Sequence, residues 1–513
     1  MIKNIICGFE KTVLNNPNKI AVIHNDKELS FSELRARSIS LANQLVKKSV
    51  KQSNRPICVF LPKGIEVVIC DIAIMYTCNI FNNLDIKTPV NRILNILNTL
   101  RPQVVITDSK YKNQLANITP DIEIYALDVD NYDVDNYKED AELVSVDILT
   151  RLQKQVDTDP YCIINTSGST GTPKGVVLTH KGFINYVNWA STTFNFDGNE
   201  ILGVMSSIVF DHYVYETTLM MLKGSTLVLL DMIMAAFPVK LLAEIQNKKV
   251  NYIFWVPTVM VNIANMGLLD RFELPNLKMI WFAGEVFPTK QFNVWKNHFP
   301  KATFVNLYGP CEITVDCTYY KVDREFKDEE PLPIGVPCQN TDVFLLDEED
   351  NICRQGDIGE ICVRGTGVAL GYYNNKERTE LSFTMNPLNK SYPERIYRTG
   401  DLGYFDDNGL LMFKGRRDSL IKHMGNRVEL GEIEHIIVNK LCLAKNACAV
   451  YDYDKKEIVL FYEANANADE KHLKLALTSE FPRYMIPARY VLMEELPRNT
   501  NGKIDRQKLK EIL

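Results

Sequence analysis

The chain has 513 residues, 46% of them hydrophobic and 24% charged, with a formal net charge of −6. That length allows a large core and roughly two to four domains. The acidic balance argues against a nucleic-acid partner, whose phosphates normally select a basic stripe. Twelve cysteines stand singly with no C-x-x-C pair, and seven scattered histidines give no zinc-ligand spacing. The N-terminal "MIKNIICGFEKTVLNNP" lacks the apolar stretch and small-residue site of a secretory leader. No apolar run reaches the ~18 residues of a membrane helix. A reduced, cytoplasmic setting is expected.

In chain order, "LSFSELRARSISLANQLVKK" (29–48) predicts a helix. Ser30 or Ser32 is its cap candidate, ahead of Leu34, Ile39, Leu41 and Leu45 at near-helical spacing. "PICVFLP" (56–62) and "QVVITDS" (103–109) read as buried strands, the second preceded by a helix at "RILNILNTL". "EVVICDIAIMYTCNIFNNLD" reads as a helix running into a loop. This alternation predicts an α/β protein with largely parallel sheets. The tandem acidic "DVDNYDVDNY" (128–137) lacks the Gly and distant Glu of a calcium loop and reads as a solvated surface segment. After "FKGRRDS" the pattern changes to a short α/β run, "KNACAVYDYD", "KEIVLFYEA", a helix near 470–480 and "RYVLMEELP". A domain boundary near Arg417–Asp418 follows, giving domains 1–417 and 418–513.

Between two apolar runs lies "TSGSTGTPKG" (166–175), holding only Thr, Ser, Gly, Pro and one Lys. It is not a Walker A loop. Pro173 stands where Gly should precede the Lys, and Gly175 follows Lys174 where a Ser or Thr should bind magnesium. The loop also leads into a strand, "GVVLTH", so no helix dipole is aimed at a phosphate. Its backbone N–H groups, hydroxyls and one ammonium suit a polyphosphate that binds and leaves. A lone loop of this kind reads more readily as a solvent-exposed hairpin.

This loop resembles the phosphate loop of the adenylate-forming superfamily. That group includes acyl-CoA synthetases, luciferases, nonribosomal-peptide adenylation domains and D-alanine–carrier protein ligases. Further motifs follow in the superfamily's order: "LSFSEL", then "NLYGPCEIT" (306–314), "GEICVRGTGVALGYYN", "YRTGDL", "GRRDSLIKHMGNRVELGEIE", "FPRYMIP" and "NGKIDR". The resemblance implies a large N-terminal region of α/β subdomains with a small β-barrel-like part, then a small mobile C-terminal α+β domain. It implies ATP and magnesium as cofactors, and attack of a carboxylate on the α-phosphorus.

Carried over residue by residue, the resemblance gives each motif a role. Lys503 is the catalytic Lys bridging substrate carboxylate and α-phosphate, and Glu312 is the magnesium ligand. Thr166, Ser167, Gly168, Ser169, Thr170, Gly171 and Lys174 hold the phosphates. Tyr308 stacks on adenine beside Gly309, Asn306 bonds the ring edge, and Ala283–Gly284 pass close to it. Asp401 accepts both ribose hydroxyls with help from Arg416. Asp418 is the hinge on which the small domain turns between adenylation and thioester formation. Gly425 lines the pantetheine tunnel, with Lys422 in the same segment.

"FDHYVYE" is similar to the F-D-x-S-V-x-E of amino-acid-activating members. Asp211 would then bind the substrate α-ammonium, since a carboxylate in an apolar pocket needs a cation. A helix-capping role for Asp211 is the plainer alternative. The pocket carried over is Asp211, His212, Tyr215, Phe254, Trp281, Ala283, Leu307, Val315 and Asp316. Its bulky Tyr215, Phe254 and Trp281 imply a small amino acid such as Ala, Ser or Gly. A short diamino acid is the second choice, through Asp316 and His212.

Cys311, Leu420, Tyr213 and the stretch "IFNNLD" (80–85) depart from the superfamily's pattern. The short flanks of the first and last motifs resemble a free-standing ligase. Its acceptor would be the 4'-phosphopantetheine of a carrier protein in trans, docked through Lys422, Arg427 and the tail lysines. An acyl- or aryl-CoA synthetase, an amide-forming synthetase and a non-catalytic relative are the rival readings.

Overall fold

The first long helix, Phe31–Lys48, is set by its cap. Ser30 Oγ accepts the Glu33 N–H at 3.3 Å, and the Glu33 carboxylate accepts the Ser30 N–H at 2.8 Å. This reciprocal box satisfies two donors that helix geometry leaves unpaired, and it chooses Ser30 over Ser32. The computed structural model describes residues 3–119, 121–127, 144–166, 173–416, 420–464, 469–498 and 504–513. The acidic repeat at 128–137 lies outside them.

Contacts divide the chain into two compact units. The first comprises Met1–Ile86, Leu100–Ile164 and Val176–Gly415. Its larger sheet has nine strands, six of them a continuous parallel set. Thr303–Tyr308, Met279–Phe282, Tyr252–Trp255 and Ile201–Val204 run side by side within it. A seven-stranded sheet holds Pro160–Thr166, Ile80–Leu84, Pro56–Phe60, Val105–Asp108 and Ile124–Leu127 as parallel neighbours in that order. A five-stranded sheet, built on Thr341–Leu346, Gly359–Gly365 and Arg395–Phe405, has antiparallel ladders.

Ile80–Leu84 is a strand, where the sequence reading expects a loop after the helix Ile65–Tyr76. Two adjacent asparagines hid it, because buried strands normally read as apolar runs. Both find partners inside: Asn82 Nδ2 donates to the Ile163 carbonyl at 2.8 Å and Asn83 Nδ2 to Asp71 Oδ2 at 3.1 Å.

The second unit comprises Lys87–Thr99, Asn165–Gly175 and Arg416–Leu513. A three-stranded sheet, Ala444–Asp452, Glu457–Ala464 and Arg489–Leu492, packs with the helix Glu470–Glu480 around a core that includes Ala449, Leu460 and Leu473. Arg92 pairs with the buried Glu432 at 2.7 Å. Leu420–His423 and Asn426–Glu429 form a hairpin whose two-residue turn, Met424 (φ 51°) and Gly425 (φ 75°), is left-handed at both positions, the backbone that matches strand twist. The architecture is mixed α/β, with a large N-terminal region and a small C-terminal subdomain. Among the described residues no helix is long and apolar enough to cross a membrane.

Replacing Ser30 by Ala should lower stability by about 1 kcal/mol, read as a reduced Tm in thermal denaturation; an unchanged Tm would remove the capping box from the account of this helix.

Candidate active site

Three parallel strands build the floor. Phe254 lies opposite Trp281, and Trp281 opposite Val305. Side chains alternate faces along a strand, so Phe254, Trp281, Ala283, Val305 and Leu307 share one face. Ile253, Trp255, Ile280, Phe282 and Phe304 take the other and belong to a separate apolar core. The alternation thus sorts "YIFW" and "MIWF" into site and scaffold.

The helix Asp211–Lys223 supplies the polar end. Its N-cap is Phe210, with no side-chain cap bond, and Asp211 is the first helical residue. Asp211 Oδ1 accepts the His212 N–H at 3.0 Å and lies 3.4 Å from His212 Nδ1. A carboxylate in the first turn also meets the positive end of the helix dipole. Burial works against a charged His212, but its hydrogen bond to Asp211, with Asp316 and Glu216 nearby, raises its pKa above the ordinary value.

Aromatic rings wall this polar end. His212 sits 4.5 Å from Phe254 between ring centroids. Tyr215 stacks parallel to Trp281 at 6.0 Å, and Phe254 meets Trp281 edge-on at 5.6 Å. Trp281 is fully buried. Six rings surround it, those of Trp189, Phe194, Phe196, Tyr215, Tyr252 and Phe254. Asp316 is buried and accepts the Tyr186 O–H at 2.7 Å. Tyr186 in turn meets Tyr215 edge-on at 4.9 Å.

The chain returns to Asp316 through a tight turn. Thr314 and Val315 have φ of 63° and 69°, a conformation β-branched residues rarely adopt and that costs about 1–3 kcal/mol each. Gly309 makes the turn fit, since a Cβ there would lie 2.4 Å from Asp316 Cα. Gly284 has φ 93° with only Val256 Cγ1, at 3.6 Å, near a hypothetical Cβ. Its backbone conformation therefore calls for glycine.

Among the residues expected to meet the nucleotide, the Tyr308 O–H donates to Asp401 Oδ2 at 2.5 Å. Burial and the Asp401 charge push the Tyr308 phenol well up. The Asp401 N–H donates to Thr399 Oγ1 at 3.0 Å, and Asn306 Nδ2 to the Pro333 carbonyl at 2.7 Å. Glu312 is fully buried in the short turn Cys311–Ile313, and its Oε1 accepts the Tyr372 O–H at 2.8 Å. No group of three or more His, Cys, Asp or Glu among the described residues is arranged to hold a metal. One buried carboxylate nonetheless fits magnesium, which commonly takes one or two carboxylates and completes its shell with phosphates and water.

In the second unit, Thr166 Oγ1 lies 3.5 Å from the Lys174 carbonyl, at the limit of a hydrogen bond. Lys174 Nζ pairs with Glu429 at 3.6 Å. Arg416 ends the strand Leu411–Arg416. Ser167, Gly168, Ser169, Thr170, Gly171, Asp418 and Lys503 lie outside the described residues.

Tyr186, Tyr252, Lys63 and Asp71 were not picked out from the sequence. Lys63 Nζ donates to the carbonyls of Val204 and Ser206 at 2.7 and 2.8 Å. Burial lowers its pKa to about 8, with Glu216 and Asp231 opposing. Burial raises Glu216 to about 8, with Lys63 and His212 opposing. The "E" of "FDHYVYE" was the one available signal for this pair.

A family model described as AMP-binding enzyme matches residues 9–373. The chain belongs to the AMP-binding enzyme family. The D-alanine–D-alanyl carrier protein ligase of Bacillus cytotoxicus is 30% identical over 515 residues, 98% of this chain and 97% of that protein. Gramicidin S synthase 1 of Brevibacillus brevis is 28% identical over 98% of this chain, which spans only 44% of that protein's length. The amide bond synthetase McbA of Marinactinospora thermotolerans superposes with a TM-score of 0.84 at 18% identity, covering 98% of this chain and 99% of that one. At that identity the likeness shows the shared fold.

Gly309→Ala should destabilise the protein by roughly 1–3 kcal/mol through overpacking, measured as a lower denaturation midpoint; full stability would show that the 309–316 turn can relax.

Proposed function

We propose that this chain activates a small amino acid with ATP, forming an aminoacyl-AMP and releasing pyrophosphate. The aminoacyl group then passes to the phosphopantetheine thiol of a separate carrier protein. The observation that carries this reading is Asp211, a buried carboxylate at a helix start, paired with His212, whose own ring meets Phe254. Such a group needs a cation, and the α-ammonium of an amino acid supplies one. His212 answers part of the same charge before substrate arrives.

The first step brings two anions together, the substrate carboxylate and the α-phosphate. Positive charge must therefore stand where negative charge accumulates. Lys503 is assigned to bridge the two, and Lys174 with the Thr166–Gly171 loop to hold the outgoing phosphates. Asp401 is assigned to the ribose hydroxyls and Tyr308 to the adenine face. Magnesium, when bound, would neutralise phosphate charge, and Glu312 is the side chain that would hold it. Asp316 favours a second substrate choice: a buried carboxylate in the pocket also suits a hydroxyl or a short cationic side chain.

The test is ATP–pyrophosphate exchange across L- and D-amino acids, fatty acids and aryl acids. Exchange should appear with a small amino acid, and Asp211→Ala and Lys503→Ala should each lower kcat/KM at least ~100-fold. Exchange only with acids lacking an α-amino group would move the chain to acyl-CoA synthetase chemistry. Trp281→Ala should widen the amino-acid profile to larger side chains while costing about 3–5 kcal/mol of stability; an unaltered profile in folded protein would remove Trp281 from the pocket.

A further inference from the structure

Two stretches that depart from the superfamily's pattern meet at one buried carboxyl. Asn83 lies in "IFNNLD" and Tyr213 in "FDHYV". Both donate to Oδ2 of Asp71, each at 3.1 Å. Asp71, on the helix Ile65–Tyr76, is 3% exposed, Asn83 3% and Tyr213 0%.

The remaining oxygens are informative. Asp71 Oδ1 and Asn83 Oδ1 are both buried, and neither has a hydrogen-bond partner. A carboxylate oxygen and an amide oxygen are both acceptors and cannot bond to each other. A protonated carboxyl and a carboxamide can bond twice: N–H to one carboxyl oxygen, O–H from the other to the amide oxygen. One proton at Oδ1 therefore gives both orphaned oxygens a partner, where the ionised form leaves both desolvated.

We infer that Asp71 is a neutral positioning residue, its proton on Oδ1 shared with Asn83 Oδ1, and that through Tyr213 it fixes the first turn of the helix bearing Asp211 and His212. Tyr213 lies two residues beyond Asp211, about 200° around the helix. Anchoring its hydroxyl inside the core thus sets how Asp211 is presented on the opposite side. The titratable groups facing Asp71 are Cys70 on its own helix, Tyr213, and Tyr161 and Cys162 on the strand Pro160–Thr166. Burial pushes each of these up and keeps it neutral. Burial likewise raises Asp71 to about 8, with Asn83 and Tyr213 opposing. The Cys162 thiol feels both Asp211 and Asp71.

The kinetic consequence rests on the proposed amino-acid activation; the proton does not. The first measurement is Tm against pH for wild type and Asp71→Asn, a neutral stand-in that can pair with Asn83 as an amide. Folded Asp71 keeps its proton up to about pH 8, whereas the unfolded chain releases it near 3.8. Raising the pH through that window should therefore destabilise wild type relative to Asp71→Asn, and the gap should level off above it. A gap that stays constant from pH 6 to 9, or failure of Asp71→Asn to fold, overturns the proton assignment. The second measurement is exchange kinetics. Tyr213→Phe and Asp71→Leu should raise the amino-acid KM about fivefold, with the ATP KM changed less than about twofold and Asp71→Asn close to wild type. Equal shifts in both KM values, or none, overturn the positioning role. Wild type without amino-acid-dependent exchange would instead sink the functional reading, and the pH series would then decide the proton alone.

Discussion

The parallel register of three strands, Tyr252–Trp255, Met279–Phe282 and Thr303–Tyr308, is the constraint on which the candidate site rests. A strand has two faces, and a slip by one residue would exchange them. In the observed register the aromatic and small residues, Phe254, Trp281 and Ala283, come together on one face. The opposite face, with Trp255, Ile280 and Phe282, is committed to a core of its own. The same register brings the chain to Tyr308 and Gly309, from which the strained Thr314–Val315 turn returns to Asp316. The residues proposed for substrate and for nucleotide thus follow from one run of neighbouring strands.

Charge in this floor is arranged by pairing. Asp211 has His212, Glu312 has Tyr372, Asp316 has Tyr186 and Asp401 has Tyr308. Each buried carboxylate keeps a neutral or weakly basic donor, which satisfies it without neutralising it outright. That leaves net negative character among these residues.

The sequence was most legible where chemistry is carried by short contiguous strings. The Ser/Thr/Gly loop, "YGPCE", "TGDL" and "FDHYVYE" carry the resemblance to the family to which the chain belongs. Reading by short apolar runs likewise located Pro56–Phe60 and Val105–Asp108. It failed at Ile80–Leu84, where Asn82 and Asn83 break the apolar run yet bond to groups far away in sequence. Tyr186 escaped notice for the same reason. Its partner Asp316 is 130 residues distant, and an aromatic residue on a helix carries no local mark of a hydroxyl aimed at a distant carboxylate. Long-range polar pairing inside a core is a property of the fold, so only the assembled protein displays it.

The cage around Trp281 also bears on how this protein could diverge. A tryptophan gripped by six other rings is part of the foundation, so replacing it with a smaller residue would weaken the domain whatever room it opened. Ala283 and Leu307 share that face and are buried as well. Inherited change around this floor would therefore accumulate first at positions outside that cage. The tryptophan would follow only in lineages that had already gained stability elsewhere.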